Sequence, residues 1–137
     1  MMNLDIRAPL VYVKTDDFPL NLTENEEFLL CFDIDPVQNR SIEPDPELFL
    51  GSLVFIGRKL SDSDALDVQK VPLPAGVYLF IQYRNAVSVP LDRKMWLDLA
   101  IEQHKDGLWE RYKPKNRLFV RLLFEDGSFV TQLFRPL

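Results

Sequence analysis

The chain has 137 residues, 47% of them hydrophobic, with 16 Lys/Arg against 21 Asp/Glu and a formal net charge of −5. That length fits one domain that buries roughly two thirds of its unfolded surface, which excludes a chain dependent on disulfide staples. An acidic balance excludes non-specific nucleic-acid binding as the main activity, because that affinity comes from Lys/Arg neutralising phosphates.

In chain order, "APLVYVK" (8–14) predicts a first strand, opened by Pro9 and carried by apolar and β-branched residues. "FLLCFDID" (28–35) predicts a second, closed by Pro36, and "VQNRSIEPDPE" after it reads as an exposed loop. "LFLGSLVFIG" is a strand from Leu48 to Ile56 with a bulge at Gly51, or a shorter one from Ser52. Pro72 and Pro74 divide "VQKVPLPAGVYLFIQYR" into a strand at 68–71 and another at 77–84. Strand parity then sets Val77, Leu79, Ile81 and Tyr83 on one face and Tyr78, Phe80, Gln82 and Arg84 on the other, leaving open which face lines a cavity.

Leu91, Met95, Trp96, Leu99 and Ala100 recur at helical spacing, so a helix is expected over about 90–105, with Pro90 in its first turn and Gly107 as its stop. Two final apolar runs flank Asp126-Gly127, a strong hairpin signal. The sum is α+β: an antiparallel sheet with one main helix, in a single domain over 1–137.

One Cys and one His cannot form an intramolecular disulfide or a zinc set, so no metal is expected and a reducing, cytoplasmic location is favoured. No apolar run reaches the roughly 18 residues of a membrane span, and "MMNLDIRAPL" lacks a signal-peptide pattern. No phosphate-cradling glycine loop, nucleotide fingerprint or nucleophile elbow is present, so neither a cofactor nor a catalytic set is predicted. Charge is uneven. Residues 1–70 hold 6 Lys/Arg against 14 Asp/Glu and residues 71–137 hold 10 against 7, with a basic stretch "ERYKPKNR" that reads as a solvated connection.

The order strand, helix, hairpin in the second half, with "LPAGVYLF", Trp96 and a last strand "QLFRPL", resembles the second repeat of the GyrI-like effector-binding domain of MerR-type multidrug-responsive regulators. "LLCFDIDP" and "GSLVFIG" are similar to strands of that family's first repeat. The resemblance covers about 28–137 and implies tandem β-α-β-β repeats, about 8–57 and 68–137, around an aromatic-lined cavity for planar or cationic compounds. Two departures stand out. Between Lys14 and Phe28 only "LTENEEFL" remains for the first repeat's helix, with Thr23 as a cap, so that repeat is reduced. The position where relatives carry a cavity-facing glutamate holds Val120, in "FVRLL", which favours a neutral, apolar or anionic ligand over a cationic one.

The expected function is therefore non-enzymatic binding of an aromatic or apolar small molecule, in a regulator's sensing part or a stand-alone sensor. Tyr78, Tyr83 and Trp96 bring polar handles to an apolar wall, Phe80, Phe119 and Val120 extend it, and Trp109 and Tyr112 form a lid. Arg121, like Arg84, suits an anionic group on a ligand or a cross-strand pair with Glu125 or Asp126. His104 reads as a surface residue and Cys31 as a buried small one. Two other classes stay open: an interaction module offering its acidic N-terminal half to a basic protein partner, and a small hydrolase using Tyr78 or Glu125. No helix-turn-helix is present, so the chain itself is not expected to touch DNA, and no membrane contact is expected.

Overall fold

The computed structural model describes residues 2–17, 26–85, 93–109 and 112–137. They form eight strands, β1 (Met2–Ile6), β2 (Leu10–Thr15), β3 (Glu27–Ile34), β4 (Leu50–Lys59), β5 (Lys70–Leu73), β6 (Gly76–Asn85), β7 (Arg117–Glu125) and β8 (Ser128–Pro136). Three helices accompany them: α1 (Pro36–Asn39), α2 (Pro46–Phe49) and α3 (Arg93–Trp109). All eight strands join one antiparallel sheet in the order β1-β6-β8-β7-β3-β4-β2-β5, which bears out the α+β class.

Side-chain parity divides the core. From β3, β7 and β8, the residues Leu30, Phe32, Ile34, Leu118, Val120, Leu122, Phe129 and Leu133 point to the helix-covered face and pack with Phe49, Trp96 and Ala100. Their neighbours in sequence, Leu29, Cys31, Phe119 and Phe134, form a second cluster with Tyr12, Val71, Leu73 and Tyr78 on the other face, which is helix-free among the described residues. Both faces are buried in the central strands, which explains why β3 reads as an unbroken apolar run.

The sheet is curled towards its helix-free face. β2 and β7 are separated by β4 and β3, which at about 4.8 Å per strand step is roughly 14 Å on a flat sheet. Yet the Tyr12 hydroxyl on β2 lies 3.0 Å from Nε of Arg121 on β7. The two side chains span much of that gap, and the backbone supplies the curl: β1 and β2 stand six steps apart in the strand order yet are joined by residues 7–9 alone, and β5 and β6, also six steps apart, by residues 74–75.

α3 buries Trp96, Ala100, Gln103 and Gly107, spaced by three and four residues. The expected stop at Gly107 falls inside the helix, where a Cβ would sit 2.7 Å from Leu79 Cδ1, so glycine serves close packing rather than termination. The expected start at Pro90 and Leu91 lies outside the described residues. The loop expected after Pro36 instead contains α1 and α2, each opened by an Asp-Pro pair. Asp35 accepts from the Val37 and Gln38 amides, and Asp45 from the Glu47 amide.

β1 was not expected, and the piece expected at 68–71 runs to Leu73 through Pro72, which the ladder tolerates because β5 is an edge strand. β4 begins at Leu50, and its pairing with β3 shifts register between Cys31 and Phe32 and again between Phe32 and Ile34. Of "LTENEEFL", Glu27–Leu29 is strand and Thr23 lies outside the described residues. The Asp126-Gly127 hairpin forms as expected, with φ of 51° and 74°, the pair of positive values a type I′ turn requires.

Candidate functional site

The curl encloses a polar network in an apolar surround. Arg121 projects from β7 onto the helix-free face, where its Nη2 donates to Glu27 Oε1 and Oε2, each at 3.2 Å, and its Nε to Tyr12 Oη at 3.0 Å. Tyr12 donates in turn to Glu27 Oε2. Arg121 Nη1 donates to Gln132 Oε1 at 3.1 Å, and Gln132 Nε2 to Gln82 Oε1 at 2.8 Å. Five side chains from β2, β3, β7, β8 and β6 are thus linked across the sheet.

Burial and the neighbouring Glu27 carboxylate push the Tyr12 phenol well above its usual range. Burial opposes charge on Arg121, but Tyr12 and Glu27 outweigh it and hold the guanidinium above its ordinary value. The Arg121 guanidinium therefore stays charged across the physiological range, with the Glu27 carboxylate as its ionic partner.

Beside this network lies a cavity of about 390 Å³, lined by Leu4, Ile6, Leu10, Phe80, Arg121, Gln132 and Phe134. Its walls are apolar and aromatic, with Phe80 and Phe134 rings 5.1 Å apart, and its polar groups are the Arg121 guanidinium and the Gln132 amide. That volume falls in the range of small-molecule sites, about 300–1,000 Å³.

The structure brings four of the sequence-predicted residues to this face. Phe80 and Arg121 line the cavity, while Tyr78 and Phe119 pack edge-to-face at 6.2 Å in the same cluster. The Tyr78 hydroxyl donates to the Pro74 carbonyl, and Tyr78 and Phe119 also line a separate cavity of about 400 Å³ at the Pro74–Gly76 turn. Tyr83, Trp96 and Val120 are not brought there. Tyr83 lies on the opposite face and is 49% exposed, whereas Trp96 and Val120 are wholly buried between sheet and α3. A period of two cannot set Val120 beside Arg121. Tyr112 lines a third cavity, near α1, and the Trp109 side chain lies outside the described residues.

Tyr12, Glu27, Gln132 and Phe134 were missed. The site's carboxylate comes from Glu27 on the strand next to Arg121, a relation only the β3–β7 register reveals. The one available signal was that Glu27 shares the parity of Leu29 and Cys31.

Other expectations resolve simply. Arg84 pairs with Glu125 at 3.7 Å and donates to its carbonyl at 3.0 Å, the cross-strand role foreseen for it. Tyr78 pairs with Pro136 and Glu125 with Ser128, at opposite ends of β8, so they share no site. His104 is wholly buried rather than on the surface: its Nε2 lies 2.9 Å from the Ser41 carbonyl and its Nδ1 lies 3.3 Å from Arg135 Nη1. Its neighbours on the helix misled because Phe49 of α2 and the Ser41 carbonyl cover that side of α3. Among the described residues no group of three or more His, Cys, Asp or Glu side chains is disposed to hold a metal, and no helix is long and apolar enough to cross a membrane. No protein-family model matches the chain, and no curated protein matches it.

Proposed function

We propose that the chain is a non-enzymatic small-molecule-binding domain of the GyrI-like kind, working in the cytoplasm as a stand-alone sensor or as the sensing part of a regulator. The observation that carries this reading is the concave cavity itself, with an aromatic wall and a charge-compensated polar floor enclosed by the curl of the sheet. The strand order supports it further. Reading outwards from the central β3–β7 pair gives β4-β2-β5 on one side and β8-β6-β1 on the other, the arrangement expected of two tandem repeats in which α3 serves the second.

Because Glu27 neutralises Arg121, the site favours a neutral aromatic ligand over a cation. A cation would face the guanidinium, and an anion would have to compete with Glu27. A planar neutral compound buries one face against Phe80 and Phe134 and offers an acceptor to the guanidinium or amide edge.

Isothermal titration with neutral, cationic and anionic aromatic compounds tests this. Neutral members are expected to bind saturably, with Phe80→Ala weakening binding by about tenfold, the equivalent of about 1.4 kcal/mol, and Tyr83→Ala on the other face leaving it unchanged. Absence of saturable binding by any class, or equal loss in both variants, would remove the proposal.

A further inference from the structure

The basic stretch around Tyr112 takes no part in the concave site, yet it borders a cavity of its own. About 530 Å³ of space is bounded by Asn39 and Arg40 at the end of α1 and by Tyr112, Lys113, Lys115 and Asn116. Its charged side chains, Arg40, Lys113 and Lys115, are all cationic and exposed, and none of them joins an ion pair among the described residues. In a chain of net charge −5 that concentration runs against the average.

A buried cation underlies it. Arg135 is fully buried, and its partners are Asn39 Oδ1, the Lys115 carbonyl at 2.9 Å, the Arg117 carbonyl at 3.1 Å and His104 Nδ1 at 3.3 Å, with no carboxylate among them. Burial lowers its ionisation only to about 10, so it stays charged at neutral pH. A guanidinium in a poorly screened interior projects its field further than a solvated one, and here dipoles rather than a negative charge are bonded to it.

The same knot fixes the basic segment. Asn39 Nδ2 donates to the Pro114 carbonyl at 2.8 Å and to Asn116 Oδ1 at 2.7 Å, the Ile34 amide donates to the Asn116 carbonyl at 3.0 Å, and the Lys115 amide to the Pro136 carbonyl at 2.8 Å. Every residue from 114 to 117 is thereby tied by its backbone carbonyl, so Lys115 stands on a fixed backbone with Lys113 bordering it, and neither ammonium group has a partner among the described residues. Uncompensated cations on a fixed backbone suit recognition of an anion, because the ordering cost on binding is confined to the side chains themselves.

We propose that this groove binds a small multivalent oxyanion, with Arg40, Lys113 and Lys115 as its charged contacts and the Asn39–Arg135 knot holding them in place. A compound the size of pyrophosphate or citrate fits within that volume. Phosphate and polycarboxylate share the recognising chemistry, so both serve as probes.

The test is an amide NMR titration of the full chain at low ionic strength, with pyrophosphate in one series and citrate in the other. Saturable shifts at Asn39, Tyr112 and Asn116 are expected with at least one probe, and the responding probe assigns the anion class. Lys113→Gln with Lys115→Gln is expected to weaken binding by about tenfold or more, while Lys94→Gln with Lys105→Gln, exposed lysines of α3, leaves it unchanged. Dispersed spectra of both double variants establish that each is folded. Linear, non-saturating shifts with both probes, or equal weakening in both double variants, would overturn the proposal.

Discussion

Glu27 and Arg121 are each only about one fifth exposed, at 20% and 23% of their side-chain surface, and each is the other's sole ionic partner among the described residues. Replacing Glu27 by Gln keeps the shape but leaves a half-buried guanidinium uncompensated, so a loss of about 1–3 kcal/mol in urea-unfolding free energy is expected. An unchanged unfolding free energy would show that water already screens the pair. His104 makes a second residue-scale prediction. Burial, with the Arg135 charge beside its Nδ1, holds its imidazole below the ordinary 6.5, and only the Ser41 contact opposes this. The unfolded chain therefore binds a proton below about pH 6.5 that the fold refuses, and stability falls as pH drops through that value until the folded form also titrates. Urea midpoints measured between about pH 7.5 and 5.5 should decline, and His104→Gln should flatten that segment, since this is the chain's one histidine.

Among the elements, β4 shows how tightly the concave side is packed. A Cβ on Gly57 would stand 2.6 Å from Tyr12 Cβ and 2.9 Å from Val71 Cγ2, both anchored near the backbone. Gly57→Ala should cost about 1–3 kcal/mol by overpacking and displace Tyr12 from Glu27. Gly127→Ala meets no atom within 4 Å, but its φ of 74° carries a backbone cost of about 1 kcal/mol. Thermal denaturation of the two variants should rank Gly57→Ala as the more harmful, and the reverse order would mean that β2 yields easily. The hairpin was legible from Asp126-Gly127 because a type I′ turn depends on two adjacent residues. The packing role of Gly57 was not, because it depends on strands far away in sequence.

At the scale of the whole molecule, the sheet has two edges. β3, β7 and β8 are bonded on both sides, whereas β1 and β5 are each bonded on one, and Pro72 blunts β5 against further pairing. Hydrogen–deuterium exchange should be slowest in β3, β7 and β8 and fastest in β1 and β5. Protection of β1 equal to that of β7 would mean that its outer edge is covered in solution. This arrangement also explains how the candidate site arises, since Leu4, Ile6 and Leu10 from the N-terminal strands close a cavity whose floor comes from β7 and β8.

Local patterns determined a good share of this protein. The apolar runs of β3, β6, β7 and β8, the turn between the last two, the parity of Tyr78 and Phe80 against Tyr83, and the amphipathic stretch of α3 all follow from interactions within a few residues. What only the tertiary structure decided is the meeting of distant groups. Glu27 faces Arg121 through strand register, Tyr12 reaches both through curvature, and His104 is covered by Phe49 and the Ser41 carbonyl, from an apparent loop in which two Asp-Pro caps nucleate short helices. Register and curl are set by the summed packing of both faces of the sheet, a property that no short window of the chain contains.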